Sequence, residues 1–140
     1  MAVEVELKAW VDDKARVENW LNENCTFIRS YEKDDIYFAP EDDVIKRLSF
    51  RLRREGKDSI VTIKEKAIVA GLEENIETEF SVSDGDAFVG FVTALGFKSY
   101  VRKRKRGKEY LSGGLRIELS DVECLGTFIE VEKLLDSSSQ

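Results

Sequence analysis

The stretch Val3–Trp10, with the sequence VEVELKAW, alternates strictly between charged and apolar side chains. Glu4, Glu6 and Lys8 fall on one face of a predicted strand, because successive side chains of a strand point to opposite sides of its sheet. A polar face turned towards water is the common explanation of such a strand. The alternation recurs with charged residues on most of the other predicted strands, and this recurrence points to a second explanation.

The composition is that of a folded protein, and we expect residues 1–140 to form one domain. Charged residues make up 36% of the chain, apolar residues make up 42%, and there is a single proline. The net charge of −6 argues against nucleic-acid binding, and no apolar run reaches the length of a membrane span. The start of the chain shows no signal-peptide pattern, so we expect a cytoplasmic protein; a homodimer is left open.

The chain has no histidine, which excludes the common catalytic triads and most transition-metal sites. Its two cysteines, Cys25 and Cys124, form no CxxC pair, and we expect both to be reduced. Any catalysis must therefore depend on carboxylates, Lys, Arg, Tyr or a hard metal ion.

Two amphipathic helices are predicted, over residues 12–24 and 83–96. Each begins with an Asp that can cap the first turn and carries apolar residues at helical spacing. We expect both helices to pack on the outside of a sheet through these apolar stripes, which are Val17, Trp20 and Leu21 in the first helix and Phe88, Phe91, Val92 and Leu95 in the second.

About eight strands are predicted. This approximate count comes from nine strand-like stretches, which are the first strand and residues 25–31, 35–38, 47–54, 59–66, 72–82, 97–106, 115–122 and 127–135, with a turn at 110–114. Basic residues concentrate at 46–66 and 98–108, and acidic residues concentrate in the first strand, at 73–79 and at 118–132. A sheet of about eight strands can close into a barrel, so we predict an α+β protein with a closed antiparallel eight-stranded barrel and both helices outside.

Charges inside a barrel are costly to desolvate unless they pair with one another or hold a ligand. Acidic and basic rows that face each other across a lumen would suit a polyphosphate together with a divalent cation. From the chemistry alone, this arrangement and a water-exposed charged face are equally good explanations of the alternation.

Eight short motifs, in order from Val3 to Glu132, resemble those of the CYTH superfamily. This superfamily includes class IV adenylyl cyclases, thiamine triphosphatases and inorganic triphosphatases. The resemblance implies an eight-stranded tunnel that binds a triphosphate through basic residues and one or two Mg²⁺ or Mn²⁺ ions through acidic ones. The motifs are Glu4-x-Glu6-x-Lys8, Asp35-Ile-Tyr-Phe, Arg51-x-Arg53, Thr62-Ile-Lys64, Glu77-x-Glu79, Leu95-Gly-Phe97, a Lys/Arg run, and Leu125-Gly-x-Phe128-x-Glu130-x-Glu132.

The resemblance also implies roles for individual residues. The implied metal ligands are Glu4, Glu6, Glu130 and Glu132. The implied phosphate-binding residues are Lys8, Arg51, Arg53, Lys64, Lys103 and Lys105, and the residues expected to take part in catalysis are Lys8, Arg53 and Glu118. A supporting role falls to Glu77 and Glu79, which would either orient Arg51 and Arg53 through ion pairs or bind metal.

The chain departs from the family pattern at two positions and leaves one register open. Ser120 stands where the family usually has an Asp, and Glu118, two residues earlier on the same face, could replace it as a ligand or a base. The basic residue that the family pattern leads us to expect near Gly107 is missing in the uninterrupted register. An uninterrupted register places Lys103 and Lys105 in the lumen, whereas a one-residue bulge would place Arg104 and Arg106 there.

Three functions are compatible with these observations. The first is an enzyme that acts on a triphosphate such as ATP, thiamine triphosphate or tripolyphosphate, either as a cyclase that converts ATP to cyclic AMP and pyrophosphate or as a hydrolase. The opening Val5-Glu-Leu-Lys8 and the Asp35-Ile-Tyr-Phe motif are more similar to the cyclase-like branch. The second is a non-catalytic module that binds a polyphosphate, a nucleotide or a phosphorylated partner, and the third is a structural β domain.

Overall fold

The computed structural model describes residues 2–43 and 48–136, and these form a closed barrel of eight antiparallel strands with two helices outside. The predicted fold class is therefore confirmed. Around the barrel the strands follow the order β1-β5-β4-β3-β2-β6-β7-β8. Their bounds are β1 Ala2–Trp10, β2 Thr26–Pro40, β3 Phe50–Glu55, β4 Asp58–Val69, β5 Leu72–Ser81, β6 Phe97–Ser112, β7 Leu115–Val122 and β8 Gly126–Asp136.

The first and last strands lie side by side, although they come from opposite ends of the sequence. Glu6 is opposite Glu132 and Lys8 is opposite Glu130 in the antiparallel pair of β1 and β8. Because side chains alternate between the two faces of a strand, this register places the charged residues of both strands on one side. That side is the lumen of the barrel.

The second strand is longer than the sequence indicated. Two strands were predicted, at 25–31 and 35–38, but β2 runs without a break from Thr26 to Pro40. The charged run between the two predicted strands continues the alternation. Glu32 and Asp34 pair with Arg106 and Arg102 of β6, whereas Lys33 is buried in the lumen. A run of polar residues can form a strand when the side chains on both of its faces have partners.

The sixth strand also extends further than predicted. Residues 110–114 were expected to form a turn, but β6 continues to Ser112 and the turn lies at Gly113 and Gly114. Tyr110 is fully buried and donates a hydrogen bond from its hydroxyl to Asn22 Oδ1, at 2.9 Å. The predicted strand at 47–54 begins at Arg47, which lies outside the described residues. The corresponding strand as described, β3, begins at Phe50.

The two helices are α1, Lys14–Asn24, and α2, Gly85–Ala94. Asp13 and Asp84 cap them by accepting hydrogen bonds from the backbone N–H groups of Arg16 and Ala87, at 3.1 and 3.0 Å. Because the lumen is polar, the apolar cores lie on the outer wall of the barrel. Leu21 of α1 packs with Tyr110, Ile117 and Leu119, and Val92 of α2 packs with Phe38, Leu52 and Val61.

The predicted apolar stripes were only partly right. Trp20 is 57% exposed, and Phe91 and Leu95 are 64% and 62% exposed. A helix that lies on a convex barrel makes a narrow contact, so residues four apart, such as Phe88 and Val92, reach the wall while their flanking neighbours stay in water. In the described part of the chain, neither helix has the length and apolar character that crossing a membrane requires.

Candidate functional site

A cavity of about 980 Å³ occupies the interior of the barrel, and ten acidic and ten basic side chains line it. All of the residues selected from the sequence are among them. These are Glu4, Glu6, Lys8, Arg51, Arg53, Lys64, Glu77, Glu79, Lys103, Lys105, Glu118, Glu130 and Glu132. The alternating charges therefore face one enclosed space, and the water-exposed charged face is not the arrangement that the chain adopts.

The acidic wall consists of carboxylates from β1, β7 and β8. Glu4, Glu6 and Glu132 are buried, with 3%, 7% and 9% of their surfaces exposed. One carboxylate oxygen of each lies within 4.8 Å of the others, and Glu118, Glu130 and Glu132 form a second such group. Glu132 belongs to both groups, so the two adjoin.

Burial and mutual repulsion alter the pKa values of these carboxylates strongly. Burial raises the pKa of Glu6 to about 9, and the hydrogen bond with Glu4 adds to the rise. Burial also raises the pKa of Glu132 to about 8, followed by the charge of Glu4. Burial acts on Glu4 in the same direction, but the hydrogen bond from Glu6 and the charge of Lys64 outweigh it and bring its pKa to about 2.

These carboxylates fit a divalent cation. Oxygen ligands are what Mg²⁺ and Mn²⁺ prefer, and a divalent cation would favour the ionised form of carboxylates that burial and mutual repulsion otherwise keep protonated. The residues present would supply such an ion with ligands from Glu4, Glu6 and Glu132, and would supply a second ion with ligands from Glu118, Glu130 and Glu132.

Lys64 lies among the carboxylates of the acidic wall. Its ammonium is 3.3 Å from Glu4, 3.8 Å from Glu6 and 3.1 Å from Glu77. Burial lowers its pKa, but the three carboxylates outweigh burial and raise the pKa overall. The expectation that Glu77 orients the two arginines has no support in these contacts, because Glu77 pairs with Lys64. Glu79 lines the cavity as an exposed residue of β5.

The basic wall is built around Asp35 of β2, which lies between β3 and β6 and has no exposed surface. Its carboxylate accepts two hydrogen bonds from Arg53, at 2.7 and 2.8 Å, and lies 3.7 Å from the ammonium of Lys105. Burial opposes the charged form, yet these partners hold the pKa of Asp35 below its usual value. Asp35 is thus a bidentate partner that fixes the orientation of the Arg53 guanidinium.

Arg51 is the neighbour of Arg53 on the lumen face of β3. It donates a hydrogen bond to Thr62 Oγ1 at 3.3 Å, and its Nε is buried without a hydrogen-bond partner among the described residues. A buried N–H group without an acceptor is costly in free energy. Arg51 is therefore less completely hydrogen-bonded than Arg53 among the described residues.

The register of the basic strand is the uninterrupted one. Lys103 and Lys105 line the cavity, and Arg102 and Arg106 on the other face of β6 pair with Asp34 and Glu32 outside the barrel. The irregularities between β2 and β6 lie elsewhere, at Phe27/Arg29 and Tyr37/Phe38, outside the stretch that carries these lysines.

Sequence reasoning missed several charged groups of the site. Most lie on β2, where dividing the strand in two concealed an alternation that continues unbroken from residue 29 to residue 37. The others lie on the lumen face of β6 and β7. Glu109 falls between the predicted strand at 97–106 and the predicted turn at 110–114, and Arg116 lies on a predicted strand but outside the family motifs. The missed residues are Arg29, Lys33, Asp35, Tyr37, Glu109 and Arg116.

The two departures from the family pattern meet in space. Gly107 and Ser120 are opposite each other on β6 and β7, and Tyr31 of β2 is opposite Gly107. A Cβ at position 107 would lie 2.7 Å from the Tyr31 hydroxyl and 2.7 Å from the Leu119 carbonyl oxygen. The Tyr31 ring therefore occupies the space where a side chain at position 107 would project.

An eight-stranded closed barrel with an acidic and a basic wall inside it defines the triphosphate-tunnel class of protein. The chain belongs to the CYTH domain family, which matches residues 2–140. The assignment made from the sequence motifs is therefore confirmed.

Individual relatives agree with the family. A Methanocaldococcus jannaschii protein, MJ0240, is provisionally named an adenylate cyclase; it is 30% identical over 141 residues, which cover 99% of this chain and 81% of that protein. The solved structure of PH1819 from Pyrococcus horikoshii is 29% identical, with a TM-score of 0.82 over 97% of this chain and 80% of that one.

One further solved structure supports the fold alone. HpAC1 from Hippeastrum, described as a candidate adenylyl cyclase with a dominant triphosphatase activity, is 15% identical. It aligns with a TM-score of 0.70 over 99% of this chain and 81% of that one.

Proposed function

We propose that this chain is a metal-dependent enzyme that binds a triphosphate in the barrel and cleaves it. The observation that carries the proposal is the division of one cavity into a basic wall, around Asp35, and an acidic wall, around Glu6 and Glu132. A triphosphate accompanied by divalent cations has the complementary distribution of charge.

The basic wall would bind the phosphate oxygens. Arg53 is already held by Asp35, so little side-chain entropy is lost when its other N–H groups donate to a phosphate. Arg51, Lys103 and Lys105 extend the same surface along β3 and β6. The chain's own cations would thus neutralise the charge that develops on phosphate oxygens in the transition state.

The acidic wall would hold Mg²⁺ or Mn²⁺, which, when bound, would neutralise phosphate charge and act as a Lewis acid. Lys8 lies at the boundary of this wall, 3.5 Å from Glu130, and would bind a phosphate oxygen. Glu118 lines the same end of the cavity and is the carboxylate that we propose accepts the proton of the attacking hydroxyl or water.

Two reactions fit this arrangement. In a cyclase, the ribose 3′-hydroxyl of ATP attacks the α-phosphorus and pyrophosphate leaves. In a hydrolase, water attacks the terminal phosphorus, the remaining diphosphate leaves, and the attacked phosphoryl group becomes orthophosphate. The name of MJ0240, which is 30% identical to this chain, favours the first reaction. The groups that bind the phosphates are the same in both reactions.

Product analysis would test the proposal and separate the two reactions. The protein would be incubated with ATP, thiamine triphosphate or tripolyphosphate, with Mg²⁺, with Mn²⁺ or with EDTA. We expect metal-dependent release of cyclic AMP with pyrophosphate, or of orthophosphate. Binding without turnover would instead indicate a non-catalytic phosphate-binding module, and the absence of both would overturn the proposal.

A matched pair of variants would tie turnover to the lumen. Arg53→Ala removes a lumen cation, whereas Arg102→Ala removes a 51%-exposed cation that pairs with Asp34 on the outer face of β6. We expect Arg53→Ala to weaken triphosphate binding roughly ten- to hundredfold, the value of one charge-assisted contact. Equal affinities of the two folded variants would contradict a phosphate-binding role for Arg53.

A further inference from the structure

Lys33 is the most enclosed of the lumen cations that the sequence motifs did not select. Only 5% of its side chain is exposed, whereas Arg29 and Arg116 are each 42% exposed. Lys33 lines the cavity from the middle of β2. Burial of a lysine is costly, and its cost indicates that the ammonium has a partner or a task in the cavity.

Two contacts hold the ammonium of Lys33 in place. It donates a hydrogen bond to Glu118 Oε1 at 3.1 Å and lies 4.0 Å from the centroid of the Tyr31 ring. Tyr31 is itself 5% exposed, and its ring is packed over Gly107. A cation over the face of a rigid aromatic ring is attracted by the ring's negative face, so this position is well defined.

Lys33 lies where the two walls meet. Its acidic partner Glu118 belongs to the carboxylate group that includes Glu130 and Glu132. On the other side, Lys33 is opposite Lys105 in the register of β2 and β6. Lys105 belongs to the basic wall through its contact with Asp35, so Lys33 has a neighbour in each wall.

We propose that Lys33 is a further substrate-binding residue, which donates a hydrogen bond to the phosphoryl group that lies between the acidic and the basic walls. An ammonium has three N–H donors. Among the described contacts, one donor is directed to Glu118, and another side of the ammonium faces the Tyr31 ring. A third donor is thus available to an acceptor in the cavity. This inference rests on the proposed function, because it requires that a triphosphate enters the barrel.

The competing explanation is that Lys33 only neutralises Glu118. The two explanations differ in what happens when Glu118 is uncharged. A lysine that serves only Glu118 becomes irrelevant to binding once that charge is gone, whereas a lysine that contacts phosphate keeps its effect. A double-mutant comparison can therefore separate them.

The first measurement is calorimetric titration with imidotriphosphate, a tripolyphosphate analogue whose P–N–P bridges resist hydrolysis, in excess Mg²⁺. For Lys33→Gln we expect Kd to rise roughly ten- to hundredfold, as for the loss of one charged hydrogen bond. The control is Lys108→Gln, which removes a lysine that pairs with Glu18 outside the barrel and should leave Kd within about twofold.

The second measurement covers the case in which Lys33→Gln alone folds poorly because it leaves Glu118 unpaired. Glu118→Gln and the double variant Lys33→Gln/Glu118→Gln both remove that charge, and the double variant keeps a hydrogen-bonding pair. We expect the double variant to bind imidotriphosphate at least about tenfold more weakly than Glu118→Gln. Equal Kd values for these two variants would overturn the inference.

The wild-type titration separates a failure of this inference from a failure of the proposed function. Wild-type protein that binds no imidotriphosphate would overturn both. Wild-type binding with an unchanged Kd in folded Lys33→Gln would overturn the role of Lys33 alone and leave the proposed function in place.

Discussion

The acidic and the basic walls of the barrel handle buried charge in opposite ways. On the basic wall, one fully buried carboxylate, Asp35, accepts hydrogen bonds from Arg53 and pairs with Lys105, and its pKa is lowered. On the acidic wall, carboxylates lie against one another, and the pKa values of Glu6 and Glu132 are raised to about 9 and 8. The buried carboxylate of the basic wall is thus fully paired with cations of the chain, whereas the acidic wall brings buried carboxylates together.

The difference shows which part of the site the fold itself prepares. A bidentate arginine with a buried counter-ion is rigid before any ligand arrives, so the basic wall can present donors at little entropic cost. The acidic wall holds protons at neutral pH and gives them up when a cation binds. We therefore expect changes in the basic wall to affect the stability of the fold, and changes in the acidic wall to affect metal-dependent turnover.

The largest expected effect is on the basic wall. Asp35→Asn keeps the volume but leaves the buried charges of Arg53 and Lys105 without their carboxylate. Removing one partner from a buried ion pair costs about 3–5 kcal/mol in unfolding free energy. Urea unfolding monitored by circular dichroism would measure this loss. The control is Asp34→Asn on the outer face of β2, where the carboxylate pairs with a half-exposed Arg102 and should contribute about 1 kcal/mol or less.

A drop of less than about 1 kcal/mol for Asp35→Asn would break the comparison between the walls, because surface ion pairs alone reach that value. Asp35 would then not be the centre of the basic wall.

The next effect is on the acidic wall. Glu6→Gln removes one charge from the carboxylate group and keeps its volume, so we expect metal-dependent turnover to fall by about 100-fold or more, the scale of one electrostatic contact in a transition state. Without metal, the variant and the wild type should melt at similar temperatures near pH 7, where Glu6 is protonated, and the variant should melt higher above about pH 9, where ionised Glu6 repels Glu4 and Glu130. Steady-state kinetics and calorimetry would measure the two effects.

The matched control is Glu32→Gln, which neutralises a 75%-exposed carboxylate on the outside of the barrel. It should change neither turnover nor the melting temperature appreciably. Full activity of Glu6→Gln would mean that the acidic wall binds no catalytic metal, and the proposed function would fail with it.

The barrel could be predicted well from the sequence because the evidence for it, the alternation of side chains along single strands, is local. Alternation on β1 and β8 places Glu4, Glu6, Glu130 and Glu132 on one face whatever the strands pair with. The prediction that the sheet closes rested on the number of strands and on the family motifs. These two kinds of evidence account for every lumen residue that was selected.

What the sequence could not supply depends on partners from other strands. The run Glu32, Lys33 and Asp34 was interpreted as a break because it is polar throughout, and only the pairing of β2 with β6 shows that both faces are satisfied. Asp35 was quoted as part of a motif, but its role beneath Arg53 depends on the β2–β3 register. The exposure of Trp20 likewise follows from how α1 lies on a convex wall, which helical spacing does not specify.

The last expected effect, and the smallest for one titrating group over one pH unit, is a pH dependence that belongs to the acidic wall alone. The pKa values of Glu6 and Glu132 are raised in the folded protein, so the stability they contribute is fully present below about 4.5, their unfolded value, and is lost as pH rises towards 8 and 9. The lowered pKa of Asp35 acts only below its usual value of 3.8. Between pH 5 and pH 8, the slope of the unfolding free energy against pH therefore reports on the carboxylates of the acidic wall.

In EDTA, we expect the unfolding free energy to fall as pH rises from 5 to 8, by at most about 1.4 kcal/mol per pH unit for each retained proton. Urea titrations at several pH values would measure the slope. Glu6→Gln should reduce it, because one titrating group is gone, and Asp35→Asn should leave it unchanged. A flat wild-type profile would mean that the acidic carboxylates are ionised without a metal, and the contrast between the two walls would then be one of position rather than of charge compensation.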